Sequence, residues 1–266
     1  MNKLIKATGL SLGLACLATV AAHANPLVVT TSSDANTLVN SILGSGITVV
    51  GTPTYSGANS GSSGTFTGGL DLIGISKGLI LTTGDAAGAV GPNNTSSYTG
   101  GGAFTSLTFD FTTTGGDLFF NYVFASEEYN EYVNSQYNDS FQLLLDGVNI
   151  AKIPTTSTDV TINNVNNGSY AQYYNDNTSG AVNIQYDGFT DVFTASALGL
   201  TAGQHTIEFR IADVGDSALD SAVFIQGGSF SDTPTPPGVP DAGSTALLMA
   251  LGFGGLAAFR RRMAKA

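Results

Sequence analysis

Between residues 107 and 225, apolar side chains recur at every second position, in short runs separated by turn residues. Leu107, Phe109 and Phe111 alternate with Thr108, Asp110 and Thr112. Leu118, Phe120, Tyr122 and Phe124 share a second face, and Phe141, Leu143 and Leu145 a third. Ile207, Phe209 and Ile211 point opposite to Thr206, Glu208 and Arg210, and Val223 and Ile225 end the series. Successive side chains of a strand project to opposite faces, so this pattern buries one face of each strand and wets the other. Asp146-Gly147 between two such runs is a hairpin signal, which pairs residues 148–153 back onto 141–145. Many short strands of this kind predict an all-β fold, an antiparallel, jelly-roll-like β-sandwich.

The region before Leu107 carries weaker signals. Leu38, Val39, Ile42 and Leu43 recur at helical spacing behind a capping Ser33-Asp34, which predicts one short N-terminal helix within residues 32–46. Residues 78–83 read as a strand ending in a Gly84-Asp85 turn. Residues 57–69 and 91–102 are rich in Gly, Ser and Thr and read as loops, and residues 166–180 as a polar loop. Pro234, Pro236 and Pro237 make the segment before Gly238 a stiff linker. No internal repeat is visible.

Both ends lie outside this pattern. Residues 1–24 read as a cleaved signal peptide: Lys3 and Lys6, a short apolar run over 10–20, then Ala22-His23-Ala24 as a small-x-small cleavage site. The partners implied are the Sec export machinery and signal peptidase. The only cysteine, Cys16, falls inside this segment, so the mature chain has no disulfide and must hold together by its core. At the other end, Val239-Pro240-Asp241-Ala242-Gly243 precedes an apolar stretch over 246–259 and then Arg260, Arg261 and Arg262. Fourteen apolar residues fall short of the roughly 20 that a stable spanning helix needs. The arginines form a membrane stop that stays on the cytoplasmic side. The expectation is a hydrophobic sorting helix with a transient membrane association. The order of motif, helix and arginines resembles the PEP-CTERM class of sorting signals in its VPD-x-G variant. That resemblance implies an exosortase-type enzyme acting near Val239, Pro240, Asp241 and Gly243. The resulting division is signal peptide 1–24, sandwich domain 25–231, linker 232–238 and sorting signal 239–266.

Charge narrows the function. The chain has 9 Lys+Arg against 20 Asp+Glu. With the ends removed, the only basic residues are Lys77, Lys152 and Arg210. Such a chain has no basic stripe to neutralise phosphates, so no nucleic-acid partner is expected. The acids cluster in two places. Ala125-Ser126-Glu127-Glu128-Tyr129 ends one strand, with Asn138-Asp139-Ser140 before the next. Asp213, Asp216 and Asp220 share one short loop. Such acids repel unless a positive charge sits among them. Glu127, Glu128, Asp139, Asp213, Asp216 and Asp220 are therefore candidate ligands for Ca²⁺, which takes hard oxygen donors. The alternative is that they cap turns and face water.

These stretches also carry a resemblance. Gly78-Leu79-Ile80-Leu81-Thr82-Thr83-Gly84, the Phe124–Tyr129 run Phe-Ala-Ser-Glu-Glu-Tyr, and the run from Ala212 to Phe224 that contains Asp213, Asp216 and Asp220 are similar to the choice-of-anchor L domain. The resemblance implies an exported bacterial protein with a surface-attachment tail, and no enzymatic activity. The residues agree on the last point. His205 is the one histidine left after export, it opens a strand, and no nucleophile-elbow sequence accompanies it. The expected role is structural or adhesive, at the cell surface or in the extracellular matrix of a Gram-negative-type bacterium, with calcium as a stabiliser. The main alternative is a Ca²⁺-dependent carbohydrate-binding module, with Tyr170, Tyr173 and Tyr174 as sugar contacts to an extracellular polysaccharide. A glycoside hydrolase built on a carboxylate pair is the remaining enzymatic alternative.

Overall fold

The computed structural model describes residues 26–94 and 103–237. The signal peptide, the sorting motif, the apolar stretch and Arg260–Arg262 lie outside them. In chain order the strands are β1 (Val28–Thr31), β2 (Ile47–Ser56), β3 (Ser63–Thr67), β4 (Lys77–Thr82), β5 (Phe104–Thr113), β6 (Leu118–Ser126) and β7 (Ser140–Leu145). They continue with β8 (Val148–Asn149), β9 (Val160–Thr161), β10 (Tyr174–Asp176), β11 (Gly188–Thr190), β12 (Phe193–Ala197), β13 (His205–Ala212) and β14 (Ser221–Gln226). Two short helices, α1 (Ala35–Asn40) and α2 (Leu70–Ile73), complete the set with two 3-10 turns.

The strands form two antiparallel sheets facing each other. The first runs β1-β3-β4-β14-β6-β11-β10, with β12 also paired to β6. The second runs β2-β5-β13-β7-β8, with β9 also paired to β7. The fold is the sandwich that the alternation predicts. Phe109, Phe111, Phe141, Leu143, Ile207 and Phe209 from the second sheet meet Leu118, Phe120, Tyr122, Phe124, Val223 and Ile225 from the first. Phe230 sits within about 5–6 Å of Phe109, Phe111 and Phe209 by ring centroid. The hairpin forms at Asp146-Gly147, where both residues take positive φ (48° and 84°), as a type I′ turn requires. β8 is shorter than expected, and Ile150 N–H extends the pairing to Leu143 O at 2.8 Å.

A second, smaller core lies on the far side of the first sheet. Val123, Ala125, Ala222, Phe224 and Ile80 point there and are covered by Leu27, Phe66, Ile73, Ala86, Ala89, Ile184 and Tyr186. The middle strands of the first sheet are therefore buried on both faces, which removes the polar half of the alternation. Residues 79–82 and 120–126 read as continuous buried runs for this reason.

Elsewhere the structure departs from expectation. Residues 63–67, read as loop, form β3. Gly64 in it packs so close to Thr30 that a side chain would clash, so composition reflected strand contact and not loop character. β2 was also not apparent: its register shifts between Val50 and Thr54, and Pro53 sits in that irregularity. The helix is shorter than residues 32–46. Asp34 caps it by accepting from Thr37 N–H at 2.9 Å. The polar stretch 166–180 contains a 3-10 turn (Ala171–Tyr173) and β10. The proline-rich linker is docked against the sandwich: Asn121 Nδ2 donates to Thr235 O at 2.7 Å and Gln226 Nε2 to Pro236 O at 3.2 Å.

Candidate functional site

β4, β14 and β6 end together, and their register decides where the acids point. Ser221 pairs with Ser126, and Ala222 with both Ala125 and Thr82. One position further, Glu127 N–H donates to Asp220 O at 2.9 Å. Glu127 and Asp220 are thus cross-strand neighbours on one face. Val123, Ala125, Ala222 and Phe224, at alternate positions before them, belong to the outer core, so these two carboxylates project to the outer side. Gly84 lies against Asp220, and a Cβ there would collide with the Asp220 carboxylate. Only glycine leaves this space. Asp85 follows on the same turn, and its charge acts on Asp220.

The inner side is built from both sheets. Ser221 Oγ donates to Asp139 Oδ2 at 2.7 Å, and Val214 N–H donates to Asp139 Oδ1 at 2.9 Å. Asp139 precedes β7 and Asp213 follows β13. Glu128 turns back toward them, its N–H donating to Ser126 Oγ at 2.9 Å. The carboxylates acting on Glu128 are Asp139, Asp216, Asp213 and Glu131. Asp216 is exposed at the rim.

Burial makes this arrangement energetically unusual. Glu127, Glu128 and Asp220 are each 2% exposed and Asp213 6%. Both oxygens of Asp213, Oε2 of Glu128 and Oδ1 of Asp220 are buried without a hydrogen-bond partner, and the Gln185 side chain acts on Glu127 as a hydrogen-bond donor. Burial, reinforced by neighbouring carboxylates, pushes Glu127, Glu128 and Asp220 up to about 8 and Asp213 to about 7. Asp139 is pushed by burial to about 6, held lower by its hydrogen bonds from Ser221 and Val214. Among the described residues no side-chain cation offsets them. Arg210 is on the opposite face of β13, its guanidinium carbon 4.1 Å from the Phe104 ring centroid. The ion pairs among the described residues are Lys152–Asp159 and His205–Asp146, both elsewhere. Among those residues no group of three His, Cys, Asp or Glu is already arranged around a metal position.

The tyrosines behave differently from one another. Tyr170, Tyr173 and Tyr174 are half-buried and pack on the main core. Tyr173 meets Phe193 edge-on at 5.4 Å, and Tyr174 lies 4.8 Å from the fully buried Tyr129. Tyr174 OH donates to Asn130 Oδ1 at 2.8 Å. Tyr132 and Tyr137 form an edge-to-face pair at 5.2 Å, and the Tyr137 ring lies against Gly215, one residue from Asp216. His205 holds Asp146 through Nδ1 at 2.7 Å and Thr201 O through Nε2 at 2.9 Å. Both ring nitrogens are occupied by structural contacts. Asp85 and Gly84, read from sequence as a plain turn, are the residues at this site that were missed. Only the pairing of β4 with β14 brings them there.

The model of the choice-of-anchor L domain matches residues 27–231. The chain belongs to that family. A second model, the VPDSG-CTERM motif, matches residues 238–263, with Ala242 standing where the motif's name has Ser. Neither a curated protein nor a solved structure matches the chain. The choice-of-anchor L match ends at Ser231, before the docked linker, and the motif match begins just beyond Pro237, the last described residue of that linker. Together the two matches support an exported, sorted surface protein. The acidic end of the sandwich lies wholly inside the choice-of-anchor L region.

Proposed function

We propose that this choice-of-anchor L protein is exported, sorted by an exosortase-type enzyme acting at Val239–Gly243, and displayed as a structural or adhesive component of an extracellular polymer layer, with Ca²⁺ bound at the acidic end. The observation that carries the reading is the direct succession of a choice-of-anchor L domain and a VPDSG-CTERM motif in one chain. The sandwich acts as a stable spacer. Calcium supplies positive charge to carboxylates that the protein itself leaves unpaired. The tyrosines nominated for sugar contact turn their rings to the core, which favours the structural role over the carbohydrate-binding one.

Fractionation of producing cells, followed with an antibody to the sandwich, tests the reading. The expected result is a shortened chain outside the cytoplasm, and a loss of surface retention when residues 239–266 are deleted. A full-length, unprocessed chain confined to the cytoplasm would overturn it.

A further inference from the structure

The six acids nominated from the sequence do not face one point, because the strand pleat divides them. Glu127 and Asp220 lie on the outer side of the β4-β14-β6 row, with Asp85 on the turn after β4. Glu128, Asp139 and Asp213 lie on the inner side, between the sheets, with Asp216 at the rim. Each side has its own unpartnered oxygens: Oδ1 of Asp220 outside, where Glu127 beside it is approached by Gln185, and Oε2 of Glu128 and both of Asp213 inside. Asp220, Glu128 and Asp213, like Glu127, are more than nine-tenths buried. Turn capping does not account for them. A capping carboxylate accepts a backbone N–H, as Asp34 does from Thr37 and Asp85 from Ala87. A buried carboxylate oxygen with no donor loses its hydration and gains nothing in return. Gly84 also reserves space beside the Asp220 carboxylate that a side chain would fill.

We propose that the end of the sandwich carries two divalent-cation sites, back to back across the β14-β6 pair. The inner site uses Glu128, Asp139 and Asp213, with Asp216 at its mouth. The outer site uses Glu127, Asp220 and Asp85. This rests on the calcium reading above and deepens it from one ion to two. Each ion has hard oxygen ligands of the kind Ca²⁺ takes, completed by carbonyls and water. Asp220 is within electrostatic reach of Asp213 and Asp139 through the sheet, so the two ions sense each other.

Equilibrium dialysis of the purified, chelator-treated full-length protein against Ca²⁺ alone tests the proposal. The expected stoichiometry is two. Glu127→Gln should weaken one site by about tenfold or more and leave the other, through loss of one ligand charge. Glu128→Gln should do the converse. Asp85→Asn, at a half-exposed position where the amide oxygen can still cap Ala87, is the control in case a buried variant misfolds. It should weaken the same site as Glu127→Gln. One ion lost alike in Glu127→Gln and Glu128→Gln would overturn the two-site proposal and leave the calcium reading standing. No bound ion at any millimolar concentration would overturn both.

Discussion

His205 shows how a single side chain's chemistry follows from its contacts. Thr201 O requires an N–H at Nε2, and the Asp146 carboxylate favours one at Nδ1, so the pair selects the doubly protonated ring. The hydrogen bond to Asp146 raises the His205 pKa, and the same bond lowers that of Asp146. The histidine's contribution to stability is present below its unfolded pKa and is lost as pH rises through its folded one. The aspartate's is present above its unfolded pKa and is lost as pH falls through its folded one. The pair is therefore fully effective between roughly pH 4 and 6.5. Asp146→Asn should lower the His205 pKa toward about 6.5, read from the imidazole resonances in an NMR titration. An unchanged value would mean that Asp146 does not hold the ring. The sequence placed His205 at a strand start, outside any catalytic pattern. It could not show Asp146 as partner, because β7 and β13 bring the two together only on folding.

At the scale of elements, legibility followed exposure. β5, β7 and β13 present one face to solvent and show clean alternation, so they were legible. β1 and β3 were not: apart from the core residue Phe66, β3 is made of small residues whose value lies in close approach to β1, which no periodicity records. The linker gave a composition signal for stiffness and none for docking. One of its partners, beside Gln226, is Asn121, 1% exposed in the middle of β6. Asn121 donates to Thr235 O and to Gln226 Oε1 and accepts from Thr194 Oγ1. Asn121→Ala removes the donor and leaves Gln226 and Thr194 short of a partner, at a cost of about 1–3 kcal/mol. It should also free residues 233–237, making them the first site cut by a broad-specificity protease. A variant that unfolds at a lower temperature but keeps this segment protected would show that the docking rests on other contacts. The docked strap ends at Pro237, directly before the first residue of the VPDSG-CTERM match.

For the molecule as a whole, the acidic end should set how stability depends on pH. Residue types and spacing nominated six acids, and register was needed to show that they are buried and on two sides of a sheet. Glu127, Glu128 and Asp220, at about 8, and Asp213, at about 7, lie far above the values of about 4 they have in an unfolded chain. Each therefore binds more protons folded than unfolded across that interval, and stability falls as pH rises through it. The titratable groups facing them are Asp85, Asp139, Asp187, Glu131 and Asp216, all acidic, so no titratable group among the described residues reverses the sign. Without calcium, Tm should fall steadily from pH 5 to pH 8 at fixed ionic strength. Calcium favours the ionised forms and competes with protons for the same oxygens. At pH 8 a Ca²⁺ concentration about 100 times Kd should stabilise by about 2.7 kcal/mol per ion, or roughly 5–10 °C in a domain of this size. The same addition at pH 5 should do far less, and Mg²⁺ should not substitute, because it prefers a smaller, more rigid shell. A Tm that rises toward pH 8 in chelator would show the carboxylates already ionised and satisfied in the folded chain. That result would remove the electrostatic need for an ion at this end of the sandwich.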